Sequence, residues 1–576
     1  MKSTWSVERK IIFVLSSLAL LGLALVLLPS VRVFIMGLTE NFVLQRQMNS
    51  PDVWLNRMFM WSIQGILFFA SVFSCTIFWE QLKLKLKRNK TINSAIFSVT
   101  TINYRQFVKP VLVMFGIYTL GISAIIRADF LFQDDIIRSV SGFRGWGHWS
   151  RHISNFLAVF IHADIQINDI SPLTQLIAAF LIAASSVALV YVINNEKITK
   201  TALAASIPIG LSPYFLECFS YKFDAPYMAL SVFASIVPFV FVKNRLAFSV
   251  ASVLGMLIMC MTYQASSGIY IIIVILLCFQ QWSMKQKTNS EIFAFMGIAV
   301  ISYCIAMIIF RVFFMTPLDA YVSTSVHPFR QMLPGIAHNA SNYLRHVRND
   351  FGMIWKALLL FSGISFWIKC IITTKRHKVF ATFVGLAIIA LMAILSFGVY
   401  LILAVPLFAP RGMLGFGVFI AILGIYAAGS VKKAFALPAL ALCWSFFVFS
   451  FSYGNALARQ KRHIEFRTEM LLHDLGILFP EIGKVPRPMK IIGTAGHAPV
   501  IYNIAARNPV IKRLVRVNLG GGWTGGILLR DHHNYYDVYT SREFDDTTEE
   551  GEFEQIFDSR YHTIKSDGER VMIFLK

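Results

Sequence analysis

Long apolar stretches separated by short polar segments dominate the chain as far as about residue 453. A helix needs roughly 20 mostly apolar residues to cross a bilayer, and about thirteen stretches approach or exceed that length. They lie near 11–30, 53–79, 109–130, 172–193, 203–217, 225–242, 246–263, 268–281, 292–315, 352–372, 379–404, 412–430 and 434–453. The fifth and the eighth are short. The pattern predicts a polytopic α-helical membrane protein with about thirteen transmembrane helices.

The pattern changes after about residue 455, where the chain becomes polar. Residues 459–475 have the periodicity of a basic amphipathic helix leaving the membrane, and 489–492 and 535–539 resemble strands. A turn at 566–569 precedes the apolar run 570–575, which is typical of a hairpin. We therefore predict a small C-terminal α+β domain.

Composition agrees with a membrane protein and excludes a soluble enzyme, a disordered chain and a fibrous one. Of 576 residues, 56% are hydrophobic and 15% are charged, against about 45–50% and about 25% in soluble domains. The chain holds 53 Lys and Arg against 31 Asp and Glu, a net charge of +22. Such an excess suits nucleic-acid binding, but basic residues also collect in cytoplasmic loops. We favour the membrane explanation and expect no nucleic-acid partner.

The distribution of charged residues predicts which loops lie on the cytoplasmic side of the membrane and which lie outside. With the N-terminus in the cytoplasm, the inner segments hold about twice as many Lys and Arg as the outer ones. Most acidic side chains of the membrane region then lie outside. The prediction is a membrane protein whose first stretch is a retained anchor and whose C-terminal domain lies on the outer side of the membrane. It has a two-span region at 1–108, a membrane core at 109–454 and the C-terminal domain at 455–576.

The segment after the third predicted span carries the densest candidate chemistry. It reads LFQDDIIRSVSGFRGWG from residue 131, with Asp134 and Asp135 followed by Arg138. Adjacent side chains on a helix point about 100° apart, so the two carboxylates need not face one target. If they converge, their repulsion raises one pKa, which suits a general base. The alternative is a solvated loop whose acids cap a helix.

Other outer segments add acids, basic residues and aromatic rings near the predicted membrane surface. Aromatic faces stack on sugar rings, and guanidinium groups match phosphate oxygens. Together these residues predict a site for an anionic, sugar-like substrate, although a single Arg is more often an interfacial anchor. The scattered His148, His152 and His162 lack metal-ligand spacing. The candidates for substrate binding are Arg138, Glu217, Tyr221, Lys222, Asp224, Tyr263, Gln264, Arg330 and Arg411.

Three motifs follow one another along these outer segments. They are 134–139 with Gly142, Trp146 and Arg151 downstream, 212–216 with 220–224, and the pair Tyr263 and Gln264. In this order they resemble the serotype-converting O-antigen glucosyltransferases, the Gtr type II glucosyltransferases of phage and enterobacteria. The resemblance covers roughly residues 110–455.

The resemblance implies a GT-C-like membrane glycosyltransferase of the bacterial inner membrane, which makes the outer side, with the C-terminal domain, the periplasm. Such an enzyme takes glucose from undecaprenyl-phosphate glucose and adds it to O-antigen sugars of lipopolysaccharide at the periplasmic face, mostly with inversion. GT-C enzymes usually place an acid in the first large outer loop as the base, which points to Asp134 or Asp135. One span usually precedes that loop, whereas two are predicted here.

The chemistry of such a reaction sets further expectations. Lys222, Arg138 and Arg411 are the candidates to stabilise the departing lipid phosphate. A lipid phosphate as leaving group needs no nucleotide-binding motif and no cofactor. A divalent metal could bridge the acids and the phosphate, but the sequence does not require one.

Two alternatives share much of this pattern. A flippase or transporter for a lipid-linked sugar predicts ionisable residues at mid-membrane and internal repeats, and the sequence shows few of the former and no evident repeat. An O-antigen polymerase or ligase has the same topology and acts at the same face, but uses a diphosphate-linked oligosaccharide.

Overall fold

The computed structural model describes residues 105–316, 322–429, 433–480, 488–529 and 553–576. The first two predicted spans, 11–30 and 53–79, lie outside the described residues, as does the predicted strand 535–539.

The described chain is mostly helical, with one small sheet near its C-terminus. The helices are α1 Arg105–Ala128, α2 Asp134–Ser141, α3 His152–Ile161, α4 Leu173–Ile193, α5 Lys200–Ala205, α6 Pro208–Leu211, α7 Pro213–Ser220, α8 Ala225–Ile236, α9 Arg245–Cys260, α10 Ser267–Ser283, α11 Asn289–Ile309, α12 Met332–Asp350, α13 Met353–Thr373, α14 Lys378–Leu395, α15 Leu414–Ala428, α16 Leu437–Leu478, α17 Pro499–Ala505, α18 Ile511–Leu514 and α19 Trp523–Ile527. The strands are β1 Met489–Ile492, β2 Glu554–Asp558, β3 His562–Ser566 and β4 Val571–Leu575.

Within the described ranges, eight helices are long and apolar enough to cross a membrane. Each overlaps a predicted stretch, including the stretch at 268–281, which lies in a 20-residue helix. The protein is therefore a polytopic helical membrane protein, while a total of thirteen spans stays a prediction. The eight helices are Arg105–Ala128, Leu173–Ile193, Gln264–Ser283, Asn289–Phe314, Met353–Thr373, Lys378–Leu395, Pro410–Ala428 and Lys433–Leu478.

The fifth predicted stretch, 203–217, is not one straight span. It forms two helical segments, Lys200–Leu211 and Pro213–Ser220, that meet at 57°. Proline has no backbone N–H, and its ring clashes with the preceding turn, so a continuous helix ends before Pro213. The predicted stretches 225–242 and 246–263 form the helices Ala225–Phe241 and Arg245–Cys260, each shorter than a full span.

The segment 317–351, which connects the predicted spans 292–315 and 352–372, is not only a loop. Most of its described part is α12, a 19-residue helix. The helix carries several polar residues, including Asn339, whose side-chain amide donates to the Leu401 and Leu403 carbonyls at 3.1 and 2.9 Å. Tyr343 donates to the Leu407 carbonyl at 2.9 Å. These contacts hold the helix against the loop that follows α14.

The C-terminal sheet has the strand order β1-β4-β3-β2. β1 runs parallel to β4, with Met489 opposite Val571, and the other two pairs are antiparallel. The predicted strand at 489–492 is β1, and the predicted hairpin joins β3 to β4. Its turn contains Gly568 at φ 98°, a conformation that glycine adopts without the strain of a Cβ.

The C-terminal part is continuous with the membrane bundle. The predicted boundary at residues 454 and 455 falls inside α16, a single helix of 42 residues. Its first half packs on α1, and its second half holds the sheet because Arg467 donates to the Tyr561 and Lys576 carbonyls at 2.6 and 2.9 Å. Leu442 near the start of α16 and Leu471 near its end belong to one buried apolar cluster.

Candidate active site

Asp135 is a buried carboxylate that ties two segments together. It is fully buried, and its oxygens accept backbone N–H groups from Phe132 and Lys222 at 3.1 Å and from Phe223 at 3.4 Å. Burial raises the pKa of Asp135 to about 7, although the Lys222 and Phe132 N–H groups oppose that rise. Since its oxygens are occupied and shielded, Asp135 positions the start of α2 against the turn at 221–224.

Asp134 differs from its neighbour although both belong to the first turn of α2. Its side chain is partly exposed, and no residue in the described part of the chain donates a hydrogen bond or ion pair to it. The residue before it, Gln133, has φ 42°, a strained conformation for a residue with a Cβ. Tyr221 donates to the Gln133 side-chain oxygen at 2.9 Å and so supports this turn. Asp134 is thus an accessible carboxylate on a fixed backbone.

Arg138 and Asp224 form a buried ion pair one turn further along α2. Trp146 also donates its indole N–H to Asp224 at 2.6 Å, and the Arg138 guanidinium lies 4.5 Å from the Trp146 ring centroid. Arg151 approaches the same carboxylate at 3.7 Å. Asp224 therefore gathers three groups from the segment after α1. These contacts tie the segment to the turn at 221–224.

Lys222 is paired with two carboxylates. Its ammonium contacts Asp129, which follows α1, and Asp169 at 2.7 Å. Its side chain is buried, whereas both carboxylates are partly exposed. The positive charge expected to face a phosphate is therefore already largely neutralised.

Glu217 is the centre of a second buried charge cluster. It is fully buried and accepts from the Arg411 guanidinium at 3.2 Å and from Arg516 at 2.9 Å. The Arg411 guanidinium also lies 5.3 Å from the ring centroid of Tyr221, which packs on Phe132 beside the paired aspartates. Two cations therefore share this buried carboxylate beside the rings of Tyr221 and Phe132.

A cavity of about 320 Å³ lies next to this charged region. Apolar side chains form most of its wall, and Arg151, Arg311, Gln264 and His148 add polar groups. Gln264 is held by donation to the Trp149 carbonyl at 3.3 Å. Arg411 is close to this wall because its neighbour Gly412 packs directly on two lining residues. A Cβ at Gly412 would lie 2.6 Å from the Leu407 carbonyl oxygen and 3.4 Å from Tyr400.

Tyr263 lies beneath Arg151, whose guanidinium is 4.7 Å from its ring centroid. Its hydroxyl is buried and has no hydrogen-bond partner in the described part of the chain. Gln264 lines the cavity, whereas Tyr263 is fully buried and contacts Arg151, which lines it. Arg330 is exposed beside the start of α12 and does not line the cavity.

No group of three or more His, Cys, Asp or Glu residues with metal-binding geometry occurs in the described ranges. His152 contacts the Phe314 carbonyl at 2.7 Å, while His162 stacks on Phe223. Of the three histidines noted in the sequence, His148 lines the cavity.

Several residues of the site were not among its predicted catalytic or substrate-binding residues, although Arg151 belongs to the first of the three motifs. Asp129 and Asp169 hold Lys222, and Arg151 joins the Asp224 cluster to the cavity. Arg516 comes from the C-terminal part, where the only signal is a basic run at 511–516. The neighbouring Arg513 pairs with Asp350, which also accepts from Tyr214 at 3.2 Å.

Comparisons with known proteins agree with the resemblance in the sequence. The chain is similar to a protein of Salmonella phage P22 named "Uncharacterized 55.3 kDa protein in gtrB 5'region". The two are 24% identical over 441 residues, which cover 73% of this chain and 88% of that protein. No solved structure matches the chain. Residues 123–422 match the family described as Glucosyl transferase GtrII, a region that contains every predicted catalytic and substrate-binding residue. The chain therefore belongs to the GtrII glucosyltransferase family and is a glycosyltransferase.

Proposed function

We propose that this protein transfers glucose from undecaprenyl-phosphate glucose to O-antigen sugars at the periplasmic face of the bacterial inner membrane. The reaction breaks the bond between glucose C1 and the lipid phosphate and forms a bond from C1 to an acceptor hydroxyl oxygen. The hydroxyl proton goes to a carboxylate, and the released polyprenyl phosphate keeps the electron pair. The modified O-antigen would change the serotype of the cell.

The state of Asp134 is the observation that carries this proposal. A general base must have a free lone pair that the substrate can reach. Asp134 is partly exposed and unpaired among the described residues, whereas Asp135 is buried and occupied by three N–H groups. We assign the base to Asp134 and a positioning role to Asp135.

The cavity of about 320 Å³ has the features that a lipid-linked donor needs. Its wall is mostly apolar, which suits the first isoprene units, and it includes Ile308 near the end of α11. Ile308 is also 61% exposed, on one of the least buried helices long enough to span the membrane. The cavity therefore borders a surface that faces lipid.

The leaving phosphate needs positive charge at the polar end of this cavity. Arg151 lines the cavity, and Arg411 immediately precedes Gly412, which packs on the lining residues Leu407 and Tyr400. Preorganised cations of this kind stabilise charge that develops in the transition state. Lys222 fits this role less well, because Asp129 and Asp169 already neutralise it.

Structural analysis of O-antigen tests the function directly. Cells that express the chain should carry a glucosyl side branch that is absent from cells without it, and from cells expressing Asp134→Asn at equal protein level. A changed O-antigen chain length without a new branch would identify a polymerase instead and reject the proposal.

A further inference from the structure

A second cavity borders the segment at 407–410, which also forms part of the wall of the donor cavity. It is a cleft of about 400 Å³ between Phe408–Pro410 of the core and His497–Val517 of the C-terminal part. Leu407 lines the donor cavity and Phe408 lines the cleft, so the two border one stretch of chain. Most of the cleft's lining lies beyond residue 422, where the family match ends.

Positive charge exceeds negative charge around this cleft. Lys512, Arg513 and Arg516 line it, and Arg411 adjoins it through the carboxylate it shares with Arg516. Asp350 pairs with Arg513, and Glu217 pairs with both Arg411 and Arg516. Lys512 is exposed and has no partner carboxylate within the described ranges.

The cleft also contains buried polar nitrogens that the described part of the chain does not satisfy. Arg516 Nε and His497 Nδ1 are buried and have no hydrogen-bond partner there. Buried polar groups in native proteins are almost always paired, so these two nitrogens point to a polar ligand.

An aromatic ring stands at the rim of the cleft. Tyr502 is 54% exposed, and the Lys512 ammonium lies 5.1 Å from its ring centroid. The His497 ring lies 6.2 Å from it, edge on. An exposed ring next to cations suits a sugar that bears an anionic group, because the apolar face of the sugar stacks on the ring while the anion meets the cations.

We propose that this cleft binds a phosphate-bearing sugar unit of the acceptor. The inference rests on the proposed function and adds the chemistry of the acceptor to it. The donor cavity and the cleft both border the segment at 407–410, so a saccharide held in the cleft lies next to a wall of the donor cavity.

Ligand stabilisation of the full-length protein in detergent tests the site. Glucose 6-phosphate, inorganic phosphate and glucose serve as probes, and the shift in thermal midpoint gives the dissociation constant. Lys512→Glu should weaken binding of both phosphate probes about tenfold or more. Tyr502→Ala should weaken glucose 6-phosphate binding but not inorganic phosphate binding.

Lys565→Glu is the matched control, since Lys565 also lies over an aromatic ring, Phe574 at 5.0 Å, but in the C-terminal sheet. It should bind the probes as the wild type does. Absence of probe binding to the wild type, or equal weakening by Lys512→Glu and Lys565→Glu, would overturn the proposal.

Steady-state kinetics of glucose transfer then show whether the phosphate bound in the cleft belongs to the acceptor or to the lipid donor. Lys512→Glu should raise the KM for the acceptor and leave that for the donor unchanged. A raised donor KM would assign the cleft to the lipid phosphate and overturn the acceptor assignment, and unchanged values for both would overturn the site. Probe binding does not depend on transfer, so a wild type that binds probes but never transfers glucose would contradict the proposed function alone.

Discussion

Two adjacent carboxylates have different roles at the start of α2. Successive side chains on a helix point about 100° apart, so Asp135 is directed into the protein while Asp134 stays partly exposed. The sequence could place both acids at the outer end of a span. It could not show which of the two is buried and hydrogen-bonded, because the three backbone donors of Asp135 include Lys222 and Phe223, which lie almost 90 residues away.

Asp135→Asn should lower the amount of folded protein. The asparagine amide group would replace one acceptor oxygen with a donor, and a buried N–H left without a partner costs about 1–3 kcal/mol. The thermal midpoint and the yield of membrane-inserted protein measure this. Asp134→Asn is the control and should leave both near the wild-type values; equal behaviour of the two variants would contradict the separation of roles.

Arg411→Ala should slow glucosyl transfer more than Lys222→Ala. Loss of one preorganised charge in a transition state typically costs about 100- to 1,000-fold in rate. Lys222 already faces two carboxylates, so we expect its removal to cost less than tenfold. The measurement is the initial rate of glucose transfer per mole of folded protein for each variant. A larger loss of rate for Lys222→Ala than for Arg411→Ala would assign phosphate binding to Lys222 instead.

The helices were predictable because hydrophobic length alone defines a span. Each of the eight span-length helices overlaps an apolar stretch. The bend at Pro213 and the helix α12 were missed, since the first depends on one residue inside an apolar run and the second has a polar sequence. The docking of the segment around Arg516 was also missed, because its partner Glu217 lies 299 residues away.

Glu217→Gln should release the C-terminal segment from the core. The change leaves Arg411 and Arg516 without their shared carboxylate, and breaking a buried ion pair costs about 3–5 kcal/mol. Limited digestion with trypsin should then cut after Arg513 or Arg516 faster than in the wild type. The exposed Glu554 provides a control in Glu554→Gln, and an unchanged cleavage pattern in Glu217→Gln would show that this cluster does not hold the segment.

The whole molecule places the assigned base and the C-terminal part on one side of the membrane. Arg516 contacts Glu217 and lies 5.7 Å from the ring centroid of Phe132, two residues before Asp134. With Asp134 as the proposed base, we expect the reaction on the side of the membrane where the C-terminal part lies. A reporter fused after Lys576 should be active in the periplasm and one after Lys87 in the cytoplasm. Activity of the C-terminal fusion only in the cytoplasm would move the whole site to the inner face.

The most direct measurement is the rate of glucose transfer by Asp134→Asn in reconstituted vesicles. The assay supplies polyprenyl-phosphate glucose with a labelled sugar and an O-antigen acceptor, and rates are expressed per mole of folded protein. Asparagine keeps the size of the side chain but cannot take the hydroxyl proton, so we expect a loss of about 100- to 10,000-fold with an unchanged thermal midpoint. Transfer within a few-fold of the wild type, in a well-folded variant, would contradict the assignment of Asp134 as the base.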